Sequence, residues 1–326
     1  MPSSKAGDSS SAPPWLAAGL RYHSLSHSLR RRFGHRVWKV SVDGRLGCPN
    51  VDGTLGTAGC IFCNVRSFSP SRRMDVASIT EQINEGIRRL RGPRAVDRFL
   101  AYFQPGTNTH ASVGRLRELW EEAIEHPNVV GLVVGTRPDC VPDDVLDLLA
   151  EFSRQTWLSV EYGLQTIHDR SLDWLGRRHG RHGYDAFLDA VERSRRRKLR
   201  LGAHVILGLP GETRDDMLST ARELARLRIE SVKLHNLYVA RDTPLAGLLA
   251  AGELELPDRD QYAGYAADFL EELPPQCVID RLSADAPTEY LVAPTWCLDK
   301  SAVRAAIEGE LVRRDTWQGR KHGPAD

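Results

Sequence analysis

Residues 37–64 read VWKVSVDGRLGCPNVDGTLGTAGCIFCN, a short apolar run followed by a loop rich in glycine and cysteine. The run Val37–Val42 has the β-branched residues that favour a buried strand, and the glycines and turn-forming residues after it end the strand. Three of the six cysteines of the chain, Cys48, Cys60 and Cys63, lie within sixteen residues of this loop. The stretch therefore predicts a strand whose following loop carries a group of thiols.

The alternation of apolar runs with amphipathic stretches continues from Val37 to about Tyr238 and predicts parallel β–α–β units. The predicted strands are Val37–Val42, Arg98–Phe103, Val129–Val134, Trp157–Tyr162, Leu201–Leu207 and Ser231–Tyr238. The predicted helices between them are Ser78–Leu90, Asp143–Phe152, Tyr184–Arg197 and Thr213–Leu227. Six units are fewer than the eight that close a full barrel. A partial (β/α)6 barrel and a doubly wound sheet therefore both agree with the pattern, and both place the chemistry at the C-terminal ends of the strands.

Three parts of the chain are expected to differ in structure. Residues 1–15 are small and polar and predict a disordered tail without the apolar segment of a secretory signal. Residues 16–257 hold the six units. Residues 258–326 depart from this rhythm, with a helix predicted over Asp258–Leu273, a strand over Val278–Leu282 and a last helix over Lys300–Arg314. This C-terminal extension is expected to pack on the core.

The composition is that of a globular protein. The chain has 326 residues, of which 41% are hydrophobic and 27% charged, and 44 basic against 43 acidic residues give a net charge of +1. No segment approaches the roughly 18 consecutive apolar residues of a membrane-spanning helix. These features exclude fibrous proteins, membrane proteins and secreted disulfide scaffolds, so a cytoplasmic protein is expected. The balanced charge predicts no general attraction to DNA or to a membrane.

Basic residues nevertheless occur in three runs, which are either solvated faces or guides for a phosphate backbone. The runs are Arg30–Arg32 with Arg36 and Lys39, then Arg193–Arg200, and then Arg313, Arg314, Arg320 and Lys321.

The spacing of the clustered cysteines is Cys48-x11-Cys60-x2-Cys63. Thiolates suit zinc and iron–sulfur clusters. A structural zinc site takes four ligands, and no fourth cysteine lies nearby, although a distant histidine could complete such a site. Three thiolates on a [4Fe–4S] cluster would leave one iron open to a substrate or cofactor. The remaining cysteines, Cys140, Cys277 and Cys297, are expected to be buried core residues rather than ligands of an auxiliary cluster.

The segment Cys60-Ile-Phe-Cys63, with an aromatic residue before the last cysteine and a third cysteine upstream, resembles the radical S-adenosylmethionine (SAM) superfamily. The usual first gap in that superfamily is three residues. The gap of eleven found here resembles a family of bacterial radical SAM proteins within the branch that includes Elongator protein 3. Five more segments carry the resemblance: YFQPGTNTH, VEYGLQTIHDRSLDWLGRRH, HVILGLPGET, KLHNLYVARDTPLA and LVAPTW. The resemblance covers about residues 20–300 and implies a partial (β/α)6 barrel.

The resemblance also implies cofactors and their ligands. A [4Fe–4S] cluster would be held by Cys48, Cys60 and Cys63. The residues expected to contact SAM are Gln104 and Asn108 near its amino group, Glu161 and Gln165 near the amino group or ribose, Arg177 at its carboxylate, and Ile206 and Tyr238 at its adenine. Lys233 and His235 share one face of the sixth strand and could meet a substrate, although a buried, hydrogen-bonded His235 is equally compatible with the sequence.

The activity implied is reductive cleavage of SAM to a 5′-deoxyadenosyl radical that abstracts hydrogen from a substrate, with flavodoxin or ferredoxin as electron donor. Kinship with Elongator protein 3 suggests tRNA, at the carbon-5 substituent of a wobble uridine. Two alternatives stay open. One is a radical SAM enzyme acting on a small metabolite or tetrapyrrole, and the other is a non-enzymatic metal-binding or electron-transfer protein.

Overall fold

A computed structural model of the chain describes residues 13–73, 78–90, 96–177, 179 and 182–323. Its main sheet has seven parallel strands: β1 (Val37–Val42), β2 (Arg98–Phe103), β3 (Val129–Thr136), β4 (Trp157–Gln165), β5 (Leu201–Leu207), β6 (Ser231–Asn236) and β8 (Val278–Arg281). A short antiparallel pair joins β7 (Val239–Ala240) to β9 (Leu291–Ala293). The six predicted strands are confirmed.

The order of the strands decides between the two predicted architectures. The sheet runs β1-β2-β3-β4-β5-β6-β8, and every neighbouring pair is parallel. A doubly wound sheet reverses its order at a switch point, and no reversal occurs among these strands. The fold is therefore a curled partial barrel of α/β type. The strand predicted within the C-terminal extension joins this barrel as its last member, β8.

Helices connect the strands and cover the outside of the sheet. They are α1 (Pro14–Ala17), α2 (Leu25–Phe33), α3 (Val65–Phe68), α4 (Ile79–Leu90), α5 (Val113–Glu125), α6 (Asp143–Gln155), α7 (Asp169–Trp174), α8 (Gly183–Arg196), α9 (Arg214–Arg226), α10 (Pro244–Ala250), α11 (Arg259–Glu272) and α12 (Lys300–Arg313). In the described part of the chain, none of these helices combines the length and apolar character that a membrane crossing requires.

The packing of α4 on β1 shows how the outer layer is built. Ile79, Ile83 and Ile87 recur at helical spacing and are buried against the sheet. Burial of each such side chain contributes about 1.5–3 kcal/mol. Gly86 faces Val40, and a Cβ at this position would lie 2.4 Å from a Val40 methyl group, so glycine allows the close approach of helix and strand.

The structure departs from the predictions at three strand or chain ends. β6 ends at Asn236 instead of Tyr238, because the chain turns there towards β7. β4 extends to Gln165, whose backbone is left-handed with φ +76°. Trp15, expected in the disordered tail, is buried and donates its indole N–H to the carbonyl of Pro275 at 2.9 Å. Residues 1–12 of that tail lie outside the described residues.

Buried charges join the two edge strands of the partial barrel. The Lys39 ammonium on β1 lies 3.0 Å from a carboxylate oxygen of Asp280 on β8 and 2.5 Å from one of Glu161 on β4. The assignment of Lys39 to a basic surface run is therefore wrong, since this side chain points into the barrel and meets two buried carboxylates. These two contacts hold β1, β4 and β8 around a common interior.

Replacing Lys39 by methionine should lower the free energy of unfolding by about 3–5 kcal/mol, because two buried carboxylates lose a shared partner. The matched control is Lys300→Met. The Lys300 side chain is 63% exposed, and its ammonium lies 3.0 Å from Asp285, so the loss there should stay below about 1 kcal/mol. Urea denaturation of both variants measures the difference. Equal losses would show that the buried contacts do not hold the edge strands.

Candidate active site

A cavity of about 330 Å³ lies at the C-terminal ends of the barrel strands, where α/β barrels carry their ligands. Its wall has two chemically different parts. The thiol end comprises Cys48, Cys60, Cys63, Gln165 and Arg177. The cationic floor comprises Tyr102, His204, Lys233, His235 and Arg281, all on barrel strands.

The structure brings the three clustered cysteines to one wall of the cavity, and none of them forms a disulfide. Asn50 donates its side-chain amide to the Cys60 sulfur at 3.3 Å, and Arg177 approaches the same sulfur at 3.9 Å. Cys63 is accessible from the cavity. Surrounding protein and the neighbouring Cys60 and Cys48 thiols nevertheless raise the pKa of its thiol to about 12. All three cysteines therefore line the same cavity.

Backbone contacts hold the cysteine loop against its neighbours. The Ile61 amide donates to the Leu175 carbonyl at 3.1 Å, and the Thr107 amide donates to the Gly47 carbonyl at 3.1 Å. Gly106 has φ +76°, and a Cβ there would lie 3.0 Å from the carbonyl oxygen of Leu46. Glycine therefore allows the turn after β2 to pass directly beneath the loop.

Arg177 is fixed beside the thiols by the end of β4. Its Nε donates to the Gly163 carbonyl at 3.0 Å, and a Cβ on Gly163 would lie 2.4 Å from its guanidinium. The absence of a side chain at Gly163 thus makes room for the arginine. Arg178, next in the chain, lies outside the described residues.

The remaining residues predicted to contact SAM fall into two groups. The first group lines the cavity together with Arg177 and consists of Gln104, Gln165, Ile206 and Tyr238. Asn108 and Glu161 are absent from the cavity wall that the structure describes. Asn108 donates its amide to the carbonyls of Phe103 at 3.0 Å and Gly135 at 2.8 Å, so it braces the ends of β2 and β3.

Glu161 lies beneath the cavity at the centre of a buried charge network. Besides Lys39, it accepts a hydrogen bond from His204 at 2.6 Å and faces the Lys233 ammonium at 3.6 Å. Burial alone would raise the pKa of this carboxyl, but Lys39, Lys233 and the bond from His204 hold it well below its usual range. Burial lowers the pKa of His204 to about 4, so the neutral ring carries its proton on the nitrogen that donates to Glu161.

Lys233 lies in the cationic floor, and the pKa of its amine is lowered. Its ammonium lies 2.6 Å from the Tyr102 hydroxyl. Burial lowers the pKa of Lys233 to about 7, and the charges of Arg281 and Lys39 add to the shift while Glu161 opposes it. An amine that exchanges its proton near neutral pH can bind an anion when charged and accept a proton when neutral.

His235 and Arg281 form the rest of the floor. One Arg281 nitrogen lies 2.7 Å from Nδ1 and 3.0 Å from Nε2 of His235. Burial and the Arg281 charge hold the pKa of His235 well below its usual range, so the ring is neutral and accepts from the guanidinium. Sequence reasoning identified Lys233 and His235 as possible substrate contacts but missed Arg281. The available signal for Arg281 was its position as a charged residue near the end of the predicted strand Val278–Leu282.

The other predicted features lie away from the cavity wall. Cys277 and Cys297 are buried, as expected of core cysteines, and Cys140 borders a separate groove beside the cysteine loop. The basic run of α8 is largely neutralised by acidic neighbours: Arg193, Arg195, Arg196 and Arg197 pair with Asp143, Asp147, Asp189, Glu192 and Glu230. Arg313 and Arg314 likewise pair with Glu310. In the described structure, Arg30–Arg32 and Arg36 form no such ion pairs.

The shifted pKa of Lys233 predicts early reactivity towards a small acylating reagent such as acetic anhydride. Only the neutral amine reacts, so labelling of Lys233 should rise as pH increases through about 7. The exposed Lys198 serves as the reference for the reaction of a solvent-accessible amine. Peptide mass spectrometry across pH 6–10 measures both rates. Parallel pH profiles for the two lysines would contradict the expected shift.

Comparisons with known proteins agree with this geometry. A profile described as "Radical SAM superfamily" matches residues 54–224, and one described as "Radical_SAM C-terminal domain" matches residues 229–313. The boundary predicted at residue 258 falls inside the second match.

Two curated relatives span nearly the whole chain. "Uncharacterized protein YtqA" of Bacillus subtilis is 38% identical over 310 residues, which is 94% of each chain. "Protein YhcC" of Escherichia coli is 39% identical over 298 residues, covering 88% of this chain and 94% of the relative.

Among solved structures, the archaeal Methanocaldococcus infernus Elp3 with an N-terminal deletion matches with a TM-score of 0.61. The match has 15% identity and covers 86% of this chain and 64% of that one, so it concerns the fold. The chain therefore belongs to the radical SAM superfamily of enzymes, which use a [4Fe–4S] cluster and SAM, and its relatives include YtqA and YhcC.

Proposed function

We propose that Cys48, Cys60 and Cys63 hold the [4Fe–4S] cluster of this radical SAM enzyme, and that its substrate is the side chain of a wobble uridine in tRNA. The observation that carries the proposal is the convergence of three free thiols and the Arg177 guanidinium on the wall of one cavity.

The donor set in the cavity fits the two cofactors. Within the described residues, no three His, Cys, Asp or Glu side chains converge closely enough to hold a single metal ion. Three thiols around one cavity suit an iron–sulfur cluster with one open iron, whereas a structural zinc site takes four ligands. Thr107 lines the same cavity, and its buried hydroxyl has no hydrogen-bond partner among the described residues, so a polar ligand there would satisfy it.

The reduced cluster and SAM together supply a 5′-deoxyadenosyl radical, which removes a hydrogen atom from the substrate. The residues of the chain position and shield the reactants. Arg177 presents a fork of donors to the carboxylate of SAM. Ile206 and Tyr238 offer an apolar wall for its adenine, and Gln104 and Gln165 offer amides to its polar groups. Asn50 donates to the Cys60 sulfur, an interaction that tunes the potential of a thiolate-bound cluster.

Two observations support tRNA as the substrate. The fold is similar to that of the archaeal Elp3, and the cysteine spacing and motifs of the sequence resemble the branch that includes Elongator protein 3. The arginines Arg30–Arg32 and Arg36 are free of ion pairs within the described structure, so they can attract phosphates. Remodelling of a carboxymethylaminomethyl group at carbon 5 is the specific reaction proposed. A flavodoxin or ferredoxin would supply the electron, and the proposal places the enzyme in the cytoplasm.

Substituting Cys60 by alanine should abolish both the cluster absorbance and 5′-deoxyadenosine formation after anaerobic reconstitution. The control is Cys277→Ala, because Cys277 is buried at the start of β8 and lies outside the cavity wall. It should retain both signals within about twofold. Survival of SAM cleavage in the Cys60 variant would show that the cluster has other ligands. A bound cluster without SAM cleavage in the wild type would favour an electron-transfer protein.

The substrate is tested by mass spectrometry of nucleosides from total tRNA. A strain lacking the gene should accumulate one precursor wobble uridine and lose its product. Wild type should restore the product, whereas Cys60→Ala should not. An unchanged nucleoside profile would reject tRNA and favour a small metabolite or tetrapyrrole.

A further inference from the structure

Arg281 stands out among the cations of the cationic floor because it has no acidic partner among the described residues. Its contacts are with the neutral ring of His235, at 2.7 Å and 3.0 Å. Its Nε is buried and makes no hydrogen bond in the described structure. No ion pair joins Arg281 to a carboxylate of the described residues. Burying a guanidinium in this position lowers the free energy of unfolding unless an anion pairs with it.

The neighbouring charges of the floor are already compensated. Lys39 contacts Glu161 and Asp280, and Lys233 faces Glu161 at 3.6 Å. Asp285 also lines the cavity, but its carboxylate lies 3.0 Å from Lys300. Three cations, Lys39, Lys233 and Arg281, thus share two buried carboxylates. When Lys233 is protonated, the imbalance around the floor is one positive charge, which one monovalent anion would neutralise.

We propose that the cationic floor binds a carboxylate of the substrate, with Arg281 as its fork of donors and Lys233 as a second donor. This inference rests on the proposed function, in which a modified uridine side chain enters the cavity. A carboxylate carries the single charge that the floor lacks, and its planar oxygens match a guanidinium.

The substrate is a better source of this carboxylate than SAM is. Arg177 lies at the thiol end, 3.9 Å from the Cys60 sulfur, where the open iron and the SAM carboxylate would be. Arg281 ends a barrel strand next to His235, and the Lys233 ammonium bonds to the Tyr102 hydroxyl within the barrel. The cavity therefore has one arginine for each of two carboxylates, which belong to different ligands.

The test uses cluster-loaded full-length protein with SAM and two tRNAs. One carries a wobble uridine with a carboxymethylaminomethyl side chain, and the other carries an aminomethyl side chain without the carboxylate. Arg281→Gln should weaken binding of the carboxylate-bearing tRNA about 10- to 100-fold, the range of a lost charge-assisted hydrogen bond. The same variant should alter binding of the other tRNA by no more than about twofold.

Two further variants separate recognition from misfolding. Arg281→Lys keeps the charge but loses the fork, so its affinity should fall between those of wild type and Arg281→Gln. Arg259→Gln removes an exposed arginine that contacts its neighbour Asp260, and it should bind both tRNAs like wild type. Equal losses for both tRNAs in Arg281→Gln would overturn the proposal. If Arg281→Gln bound SAM more weakly than wild type in the absence of tRNA, the proposal would also be overturned, because the carboxylate at Arg281 would then be that of SAM.

A small-anion experiment distinguishes failure of this inference from failure of the tRNA assignment. Acetate should stabilise the wild-type protein against thermal unfolding more than it stabilises Arg281→Gln. If acetate stabilises the wild-type protein in this way but neither tRNA binds to it, the tRNA substrate would be rejected and the carboxylate site would be supported. Stabilisation by inorganic phosphate without any by acetate would reject the carboxylate and assign the floor to a phosphate.

Discussion

The buried carboxylate of Glu161 is the constraint on which the rest of this structure depends. A carboxylate inside a protein is stable only when cations and donors surround it. Here they come from different strands: Lys39 on β1, His204 on β5 and Lys233 on β6. Lys39 also contacts Asp280 on β8, so the charges in the interior join both edges of the sheet. These contacts require that the sheet curl, because a flat sheet could not bring Asp280 on one edge strand within reach of Lys39 on the other.

The curl determines what the cavity can do. The C-terminal ends of the strands surround one space, and the residues in its wall differ in chemistry from one end to the other. Thiols and Arg177 lie in loops at the thiol end, where chain segments can adapt to a cluster and its ligand. The cationic floor lies on rigid strands, which hold a recognition site more precisely than loops do. Glu161 therefore supports the site although it does not line it.

The sequence predicted the strands well because each is a compact apolar run between turn-forming residues. It predicted the thiols because their spacing is local. Helix α5 was not predicted, although its sequence carries a clear helical signal. Ser112 caps the helix, and the residues buried along one face are Leu116, Leu119, Trp120 and Ala123. The contact of Lys39 with Asp280 could not be predicted, because 241 residues separate the two side chains in the chain. Asn108 and Glu161 were predicted to contact SAM because they are polar residues near strand ends. Which polar residues near strand ends face the cavity depends on the path of the backbone in three dimensions, and the sequence does not show it.

The central claim is that three cysteines hold a cluster with one iron open to SAM. Electron–nuclear double resonance of the reduced, anaerobically reconstituted protein with SAM labelled by 15N in its amino group and 17O in its carboxylate tests it most directly. We predict hyperfine coupling of both nuclei to the cluster, which requires direct contact with iron. A reduced cluster that shows no coupling in the presence of saturating SAM would mean that the fourth iron is closed, and would contradict the account.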